Sequence, residues 1–368
     1  MIDKNNFYSE SEEETNEDYP DYFFAWDEAI DGGKSPGYFE AEELERIIEI
    51  YLDDAEFQKA KKAIDYALDV YPNNMELIHD VLLLLNDFEM WNDLLSLSLK
   101  YKDLPDVWID GHRLTALLHL GMEEDAFNLF RKVKEKYTAN KEDLSVIYQA
   151  MGEALYEVDL FDASIEVMEE VIQLLGENTD YHWLQLNSYL LKENKEKTLE
   201  IADKISKMSP FDKKSWFHLG VIYKDIDELE KSIDAFEFAL NLGFKGKSIY
   251  INLIAVYELN RNFAKALEKV KEFMQAQIDP DNYLINLIAA NVCSQMEMWV
   301  EAVKYVSNAI TLMPKMDSLY LYKSNFLLNL GEQKNAKLIL EEGIKKTEDP
   351  EGNLQKELER LNEDYPDN

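Results

Sequence analysis

The sequence predicts an all-α chain in which about nine helix–turn–helix pairs stack as a solenoid closed by a C-terminal cap helix. Three observations carry that prediction. The pentapeptide Ile-Asn-Leu-Ile-Ala stands at 251–255 and again at 285–289, a step of 34 residues. Each period holds two apolar stripes at helical spacing, for example Trp216, Leu219, Ile222 and Tyr223, then Ile233, Phe236 and Leu240; each is the face of a short amphipathic helix. The 13 Gly and 9 Pro among 368 residues are about half of average usage, which excludes a turn-dense β-barrel and Pro/Gly-rich low complexity.

Residues 1–40 stand apart from the repeats. Glu10 to Asp18 is acidic and poor in aliphatic side chains, the composition of a disordered segment. Tyr22, Phe23, Phe24, Trp26 and Ile30 form a cluster too apolar for a free tail. Two readings fit it: a cap docked on the first helix pair, covering the apolar face that a solenoid end exposes, or a linear motif offered to a partner.

From residue 41 to 350 the periodicity divides the chain into nine units: 41–74, 75–106, 107–144, 145–178, 179–212, 213–246, 247–280, 281–316 and 317–350. Small side chains recur on the second helix of the units, at Ala60, Ala126, Ser164, Thr198, Ser232, Ala266, Ala302 and Ala336, with Leu94 as the exception in the second unit. Gly152 and Gly220 do the same on first helices. A small residue at a crossing lets two helices approach to the near end of the usual 8–10 Å range. Pro72, Pro210, Pro280, Pro314 and Pro350 fall where second helices should end, because proline lacks the N–H that the next turn needs. Beyond them, in 351–368, Leu354, Leu358 and Leu361 predict one cap helix before an acidic tail.

In the unit 213–246, Trp216, Leu219, Gly220, Tyr223, Ser232, Phe236 and Ala239 occupy the offsets of the Trp-x2-Leu-Gly-x2-Tyr…Ala-x3-Phe pattern. The chain therefore resembles the tetratricopeptide repeat (TPR), a 34-residue helix–turn–helix unit, over about 310 residues, with the second and third copies degenerate. The Asn- and Lys-rich, repeat-only style is similar to bacterial TPR proteins. The resemblance implies a right-handed α-solenoid whose concave surface, lined by the first helix of each pair, holds an extended peptide or amphipathic helix of another protein. It also implies that the residue after the Trp216-type position points into that groove. In copies five to nine this is Trp183, Phe217, Ile251, Ile285 and Leu321, where copies one and two have Glu45 and His79. Asn187, Asn252, Asn286 and Asn325 sit on or beside the same face, and their amides can pair with a guest backbone. Those apolar residues could equally pack on the adjacent repeat. TPR domains that clamp a terminal carboxylate need Lys or Arg at these positions, and Lys214 is the one matching base nearby.

No catalytic or cofactor signature appears. Gly33-Lys34-Ser35 lacks the upstream Gly of a phosphate loop, position 28 being Glu. Of the five His only His112 and His119 could share a helix face, and no His-Glu-x-x-His occurs. The repeats leave no length for a catalytic domain, so the expectation is a non-enzyme without cofactor or metal. One cysteine, Cys293, forms no disulfide framework. No leader or membrane-spanning apolar run is evident. The expected location is cytoplasmic.

Charge narrows the partner. With 38 Lys and Arg against 74 Asp and Glu the formal charge is −36, so direct nucleic-acid binding is excluded: phosphate contacts want cations. The acidity is uneven: residues 1–178 carry 43 acids and 14 bases, residues 179–350 carry 25 and 22, and the last 18 carry 6 and 2. The expected function is a protein-interaction scaffold for a peptide or amphipathic helix, a basic patch on that partner being compatible with the charge. The second reading is an acidic module that engages a basic nucleic-acid-binding protein by mimicking phosphate. Acidity that merely keeps a large surface soluble accounts for the same charge.

Overall fold

The computed structural model of the chain describes residues 19–280, 282–347 and 352–366. The expectations for Glu10 to Asp18 and for Pro350 fall outside that range. Among the described residues there are twenty α-helices and no strand. Helix α1 (Asp21–Asp31) precedes eighteen helices that follow one another in twos: α2 (Ala41–Asp53) and α3 (Phe57–Val70), α4 (Met75–Asp87) and α5 (Trp91–Lys100), α6 (Val107–His119) and α7 (Glu123–Tyr137), α8 (Lys141–Glu157) and α9 (Phe161–Leu175), α10 (Thr179–Leu191) and α11 (Lys195–Met208), α12 (Lys213–Asp225) and α13 (Leu229–Asn241), α14 (Lys247–Leu259) and α15 (Phe263–Gln275), α16 (Tyr283–Gln295) and α17 (Trp299–Leu312), α18 (Asp317–Asn329) and α19 (Gln333–Thr347). Helix α20 (Asn353–Asp364) follows. The fold class is the expected all-α solenoid.

The chain divides into two compact units, Met1–Ser188 and Tyr189–Asn368. The first holds 44 acids and 14 bases and the second 30 and 24, so nearly all the net charge belongs to the first. In it, one apolar core runs from Phe23 to Ala116 and a second from Leu114 to Tyr181. The second unit has one continuous core from Phe236 to Leu361.

Within each unit most helices pack on the next in sequence, and several first helices also touch one another, as α2 touches α4, α4 touches α6, and α6 touches α8. The small residues explain the close fit. Ala60, Ala126, Ala266, Ala302 and Ala336 are fully buried, and so are Ser164 and Ser232. Each of these serines donates its hydroxyl to the carbonyl of the glycine opposite, Ser164 to Gly152 at 2.8 Å and Ser232 to Gly220 at 2.7 Å. Two helices thus meet where one lacks a side chain and the other carries a hydroxyl satisfied by backbone, leaving no polar group without a partner. Leu94, although large, is buried as well.

The turn inside each pair is the same backbone device nine times. A residue in the left-handed region stands at 55, 89, 121, 159, 193, 227, 261, 297 and 331, and only Gly121 and Gly331 are glycine. The following N–H reaches back over the turn, from Glu56 to the Tyr51 carbonyl at 2.7 Å in the first pair and from Glu332 to Leu327 at 2.9 Å in the last. This six-to-one bond, with its inner partner, is the Schellman closure that satisfies the last carbonyls of a helix.

Six of the nine first helices start on an Asn or Asp cap. Asn74, Asp106, Asn140, Asp212 and Asn282 each accept backbone N–H bonds from the opening turn, and Asn178 accepts from the Asp180 N–H at 2.9 Å; such a cap is worth about 1 kcal/mol. Pro72, Pro210, Pro280 and Pro314 lie past the ends of α3, α11, α15 and α17. Two of their carbonyls tie the next pair on: Trp216 Nε1–H donates to Pro210 at 3.0 Å and the Tyr320 hydroxyl to Pro314 at 2.8 Å.

Both ends are covered. Phe23 and Trp26 of α1 are buried; Phe23 lies 5.1 Å from the Tyr51 ring, while Trp26 stands edge-on to Phe39 and Tyr66. Asp27 fixes the register by accepting from the Tyr51 hydroxyl and from Lys59 Nζ, each at 2.7 Å. Phe24 remains exposed. At the other end Leu354 and Leu361 of α20 are fully buried, and Lys337 Nζ donates to the Tyr365 carbonyl at 2.6 Å.

A buried polar cluster interrupts the apolar cores at the third pair. Asp110 on α6, with 2% of its side chain exposed, pairs with Arg113 one turn on, with Lys136 Nζ at 2.7 Å and with the Tyr137 hydroxyl at 2.9 Å, the last two from α7. It joins the two helices of the third pair.

Candidate functional site

The first helices of copies two, three and four enclose a cleft of about 260 Å³ within the first unit. Its walls are Leu83 and Asn86 on α4, Trp108, Gly111, His112 and Thr115 on α6, and Gln149, Ala150, Glu153 and Glu157 on α8. These positions share a face by the three- and four-residue spacing of a helix. The hollow exists because side chains are missing where the helices converge: a Cβ placed on Gly111 would lie 3.4 Å from the Ala150 Cβ. Around this floor stand two large apolar groups in contact with water, Leu83 at 51% and Trp108 at 53% exposure.

No Lys or Arg lines the cleft, whereas two carboxylates do. Glu153 accepts from the Gln149 amide at 2.8 Å. It is open to solvent, yet the protein massed on either side of it raises its pKa, with Glu157 and Asp180 adding to that effect. Glu157 meets His119 Nε2 at 2.9 Å, and that imidazole is stacked on Trp91 at 3.8 Å. The acidity extends along the neighbouring helices, where burial and the fields of Asp80, Glu49, Glu42 and Glu76 raise the pKa of Glu45.

The half-buried His112 is held down at about 4, mainly by burial and then by His79, against the upward pull of Asp87 and Asp106. An unfolded histidine titrates at about 6.5, so on acidification the unfolded chain takes up its proton first. The stability that neutral His112 contributes is complete above about pH 6.5 and lost as pH falls toward 4. Denaturant unfolding at pH 7.5 and pH 5 is expected to show a larger loss for the wild-type chain than for His112→Gln. Equal losses would mean that the imidazole is freely hydrated.

The residues expected from the sequence to line a groove lie elsewhere. Trp183 and Asn187 are half-buried on α10, in the first unit. In the second, Phe217 on α12 stacks on Phe244 at 4.6 Å and approaches Phe236 at 5.6 Å. Ile251 on α14 is half-buried, and Asn252 beside it accepts from Lys224 Nζ at 2.7 Å and donates to the Ser248 carbonyl at 3.0 Å. Ile285 and Asn286 on α16 are buried and border another cleft, of about 430 Å³, with Phe273 and Met274 of α15 and Asn308 and Leu312 of α17. Leu321 on α18 is half-buried; Asn325 is exposed and accepts from Asn329 at 2.9 Å.

The column that supplied Trp183 and Phe217 passes through the first cleft as well, at Gly111 and Gln149, the same offset in copies three and four. Neither residue is a large apolar anchor, so the periodic pattern of the column does not mark them. The signal that could have found the cleft is Gly111, Ala150 and Ala154 beside Trp108 on faces otherwise polar.

Among the described residues no three His, Cys, Asp or Glu side chains converge as metal ligands would, and no helix is long and apolar enough to cross a membrane.

No protein-family model matches the sequence, and no curated protein matches it. Solved structures do. The C-terminal part of a TPR repeat-containing protein from Cytophaga hutchinsonii superposes with a TM-score of 0.53 at 12% identity, over 67% of this chain and 98% of that one. A tetratricopeptide repeat protein from Parabacteroides merdae gives 0.41 at 14% identity, covering 74% and 98%. YrrB, described as a TPR protein with an unusual peptide-binding site, gives 0.34 at 15% identity, covering 63% and 97%. The Cytophaga protein, the pairing of the helices and their 34-residue period agree: the chain has the fold of the tetratricopeptide repeat proteins.

Proposed function

We propose that this chain is a non-catalytic scaffold that holds an extended peptide or a helix of a partner protein against its first helices, and that the α4–α6–α8 cleft is the principal contact. The observation that carries the reading is the exposed Trp108 and Leu83 beside a concave floor of small residues, ringed by side-chain amides, a hydroxyl and carboxylates. Aromatic anchors in a hollow, with polar groups around them, are where interface energy concentrates. Within the second unit, Phe217, Ile251, Asn252, Ile285, Asn286, Leu321 and Asn325 form a subsidiary candidate surface, as Trp183 and Asn187 do in the first.

Dodecapeptides selected on the full chain from a random phage-displayed library provide the test, with affinities read by fluorescence polarisation. Trp108→Ala is expected to weaken binding at least tenfold, about 1.4 kcal/mol, without changing the helical circular dichroism. Binding unaffected by Trp108→Ala would remove the cleft from the site. Phe217→Asp and Trp183→Asp then decide the subsidiary surface: a groove role predicts a folded chain that has lost its peptide, a core role a loss of helix.

A further inference from the structure

Resting on that reading of the cleft, we propose that its guest presents a cation: the guanidinium or ammonium group of an Arg or Lys on an extended partner peptide sits against Glu153 and Glu157, its methylene stem lying on the Trp108 ring.

Charge complementarity carries the argument. Glu153 and Glu157 are four residues apart on α8 and so project from one face. Both line the cleft, and no Lys or Arg lines it with them. The carboxylates that surround the walls have the same sign: Asp87 and Asp106 act on His112, and Asp180 acts on Glu153. What the two glutamates hold at present is weak neutralisation: Glu153 has a neutral amide, from Gln149, and Glu157 has the imidazole of His119.

The alternatives fit the walls less well. An anionic segment would bring its charge beside two carboxylates. A purely apolar helix would cover those carboxylates without giving them a donor, and burying an unpaired charge is strongly unfavourable. Arg and Lys escape both difficulties because a long apolar stem ends in a charged head. The exposed indole of Trp108 suits that stem on its face, and a cation within about 6 Å of the ring is attracted to its electron-rich face. The lining also opposes a carboxylate-clamping use of the groove, which requires bases: it holds two acids and no Lys or Arg.

The test uses the full chain and the same fluorescein-labelled dodecapeptides. The expected result is that the selected peptides share an Arg or Lys and that its replacement by norleucine weakens binding tenfold or more. Glu153→Gln with Glu157→Gln should weaken binding of the parent peptide to the same extent. The two changes together should weaken it little further, as expected when each removes one half of a single contact. If binding depends on Trp108 but the peptides need no cation, or if the two losses simply multiply, the cation inference is overturned while the cleft remains a peptide groove. If Trp108→Ala leaves binding intact, the groove reading itself falls, and this inference with it.

Discussion

Replacing Asp110 with Ala is expected to destabilise the first unit by about 3–5 kcal/mol, the effect of leaving a buried charge without its partner. Asp110 is 2% exposed and serves three groups at once, Arg113, Lys136 and Tyr137. The three respond differently to its loss. Lys136, 38% exposed, can swing its ammonium into water; Arg113, at 9%, is enclosed and cannot. The stranded guanidinium therefore dominates the expected effect. Because a buried ion pair is balanced against its own desolvation, removing both members should be milder. The double change Asp110→Leu with Arg113→Leu is expected to recover most of the stability lost by Asp110→Ala. Denaturant unfolding of the single and double variants measures this, and a single-variant loss under 1 kcal/mol would show that water reaches Arg113.

Gly220→Ala is expected to lower stability by about 1–3 kcal/mol through overpacking, although alanine is intrinsically the better helix residue by about 1 kcal/mol. Its new Cβ would come within 2.6–2.9 Å of three ring carbons of Phe236. That ring is fully buried and has the ring of Phe217 at 5.6 Å, so it has little room to yield. Gly152 offers a built-in control at the equivalent place in copy four, where the added methyl would meet the terminal methyl of Met168 and the Leu184 side chain. A thioether chain with three rotatable bonds moves aside easily. Gly152→Ala is accordingly expected to be near neutral. In thermal melts about 1 kcal/mol appears as about 2–4 °C in domains of this size. Matching shifts for the two variants would refute the claim that ring rigidity decides between them.

Residues that pack were legible in the sequence because packing imposes a period. Ala60 through Ala336 mark one contact repeated, and the Trp216 pattern exposes both helices of a pair. The Asn and Asp caps carried a similar signal at 74, 106, 140, 178, 212 and 282, but a single cap residue is common in loops and stands out only when six align. The proposed binding face follows different rules. Nothing in the fold constrains it to repeat, so a column chosen for consistency of type led to Trp183 and Phe217, whereas the cleft at Trp108 lies where the type changes to Gly111 and Gln149. The second and third copies looked degenerate by the packing pattern, and two walls of the cleft come from them. The hollow is made by what those positions lack, and its chemistry by neighbours from three different copies, which no single-copy pattern could display.

The nine Schellman turns bear on how such a chain can diverge. A left-handed residue other than glycine carries an intrinsic penalty of about 1–2 kcal/mol, yet Ala, Glu, Asp and Arg all occupy the position. Backbone hydrogen bonds, not the side chain at the apex, fix the angle at which one helix of a pair returns along the other. Small residues and ring contacts inside the pair then set how closely the two helices approach. The apex is free to drift in charge and size, and so can supply surface variation on every copy while the helix pair it closes keeps its geometry.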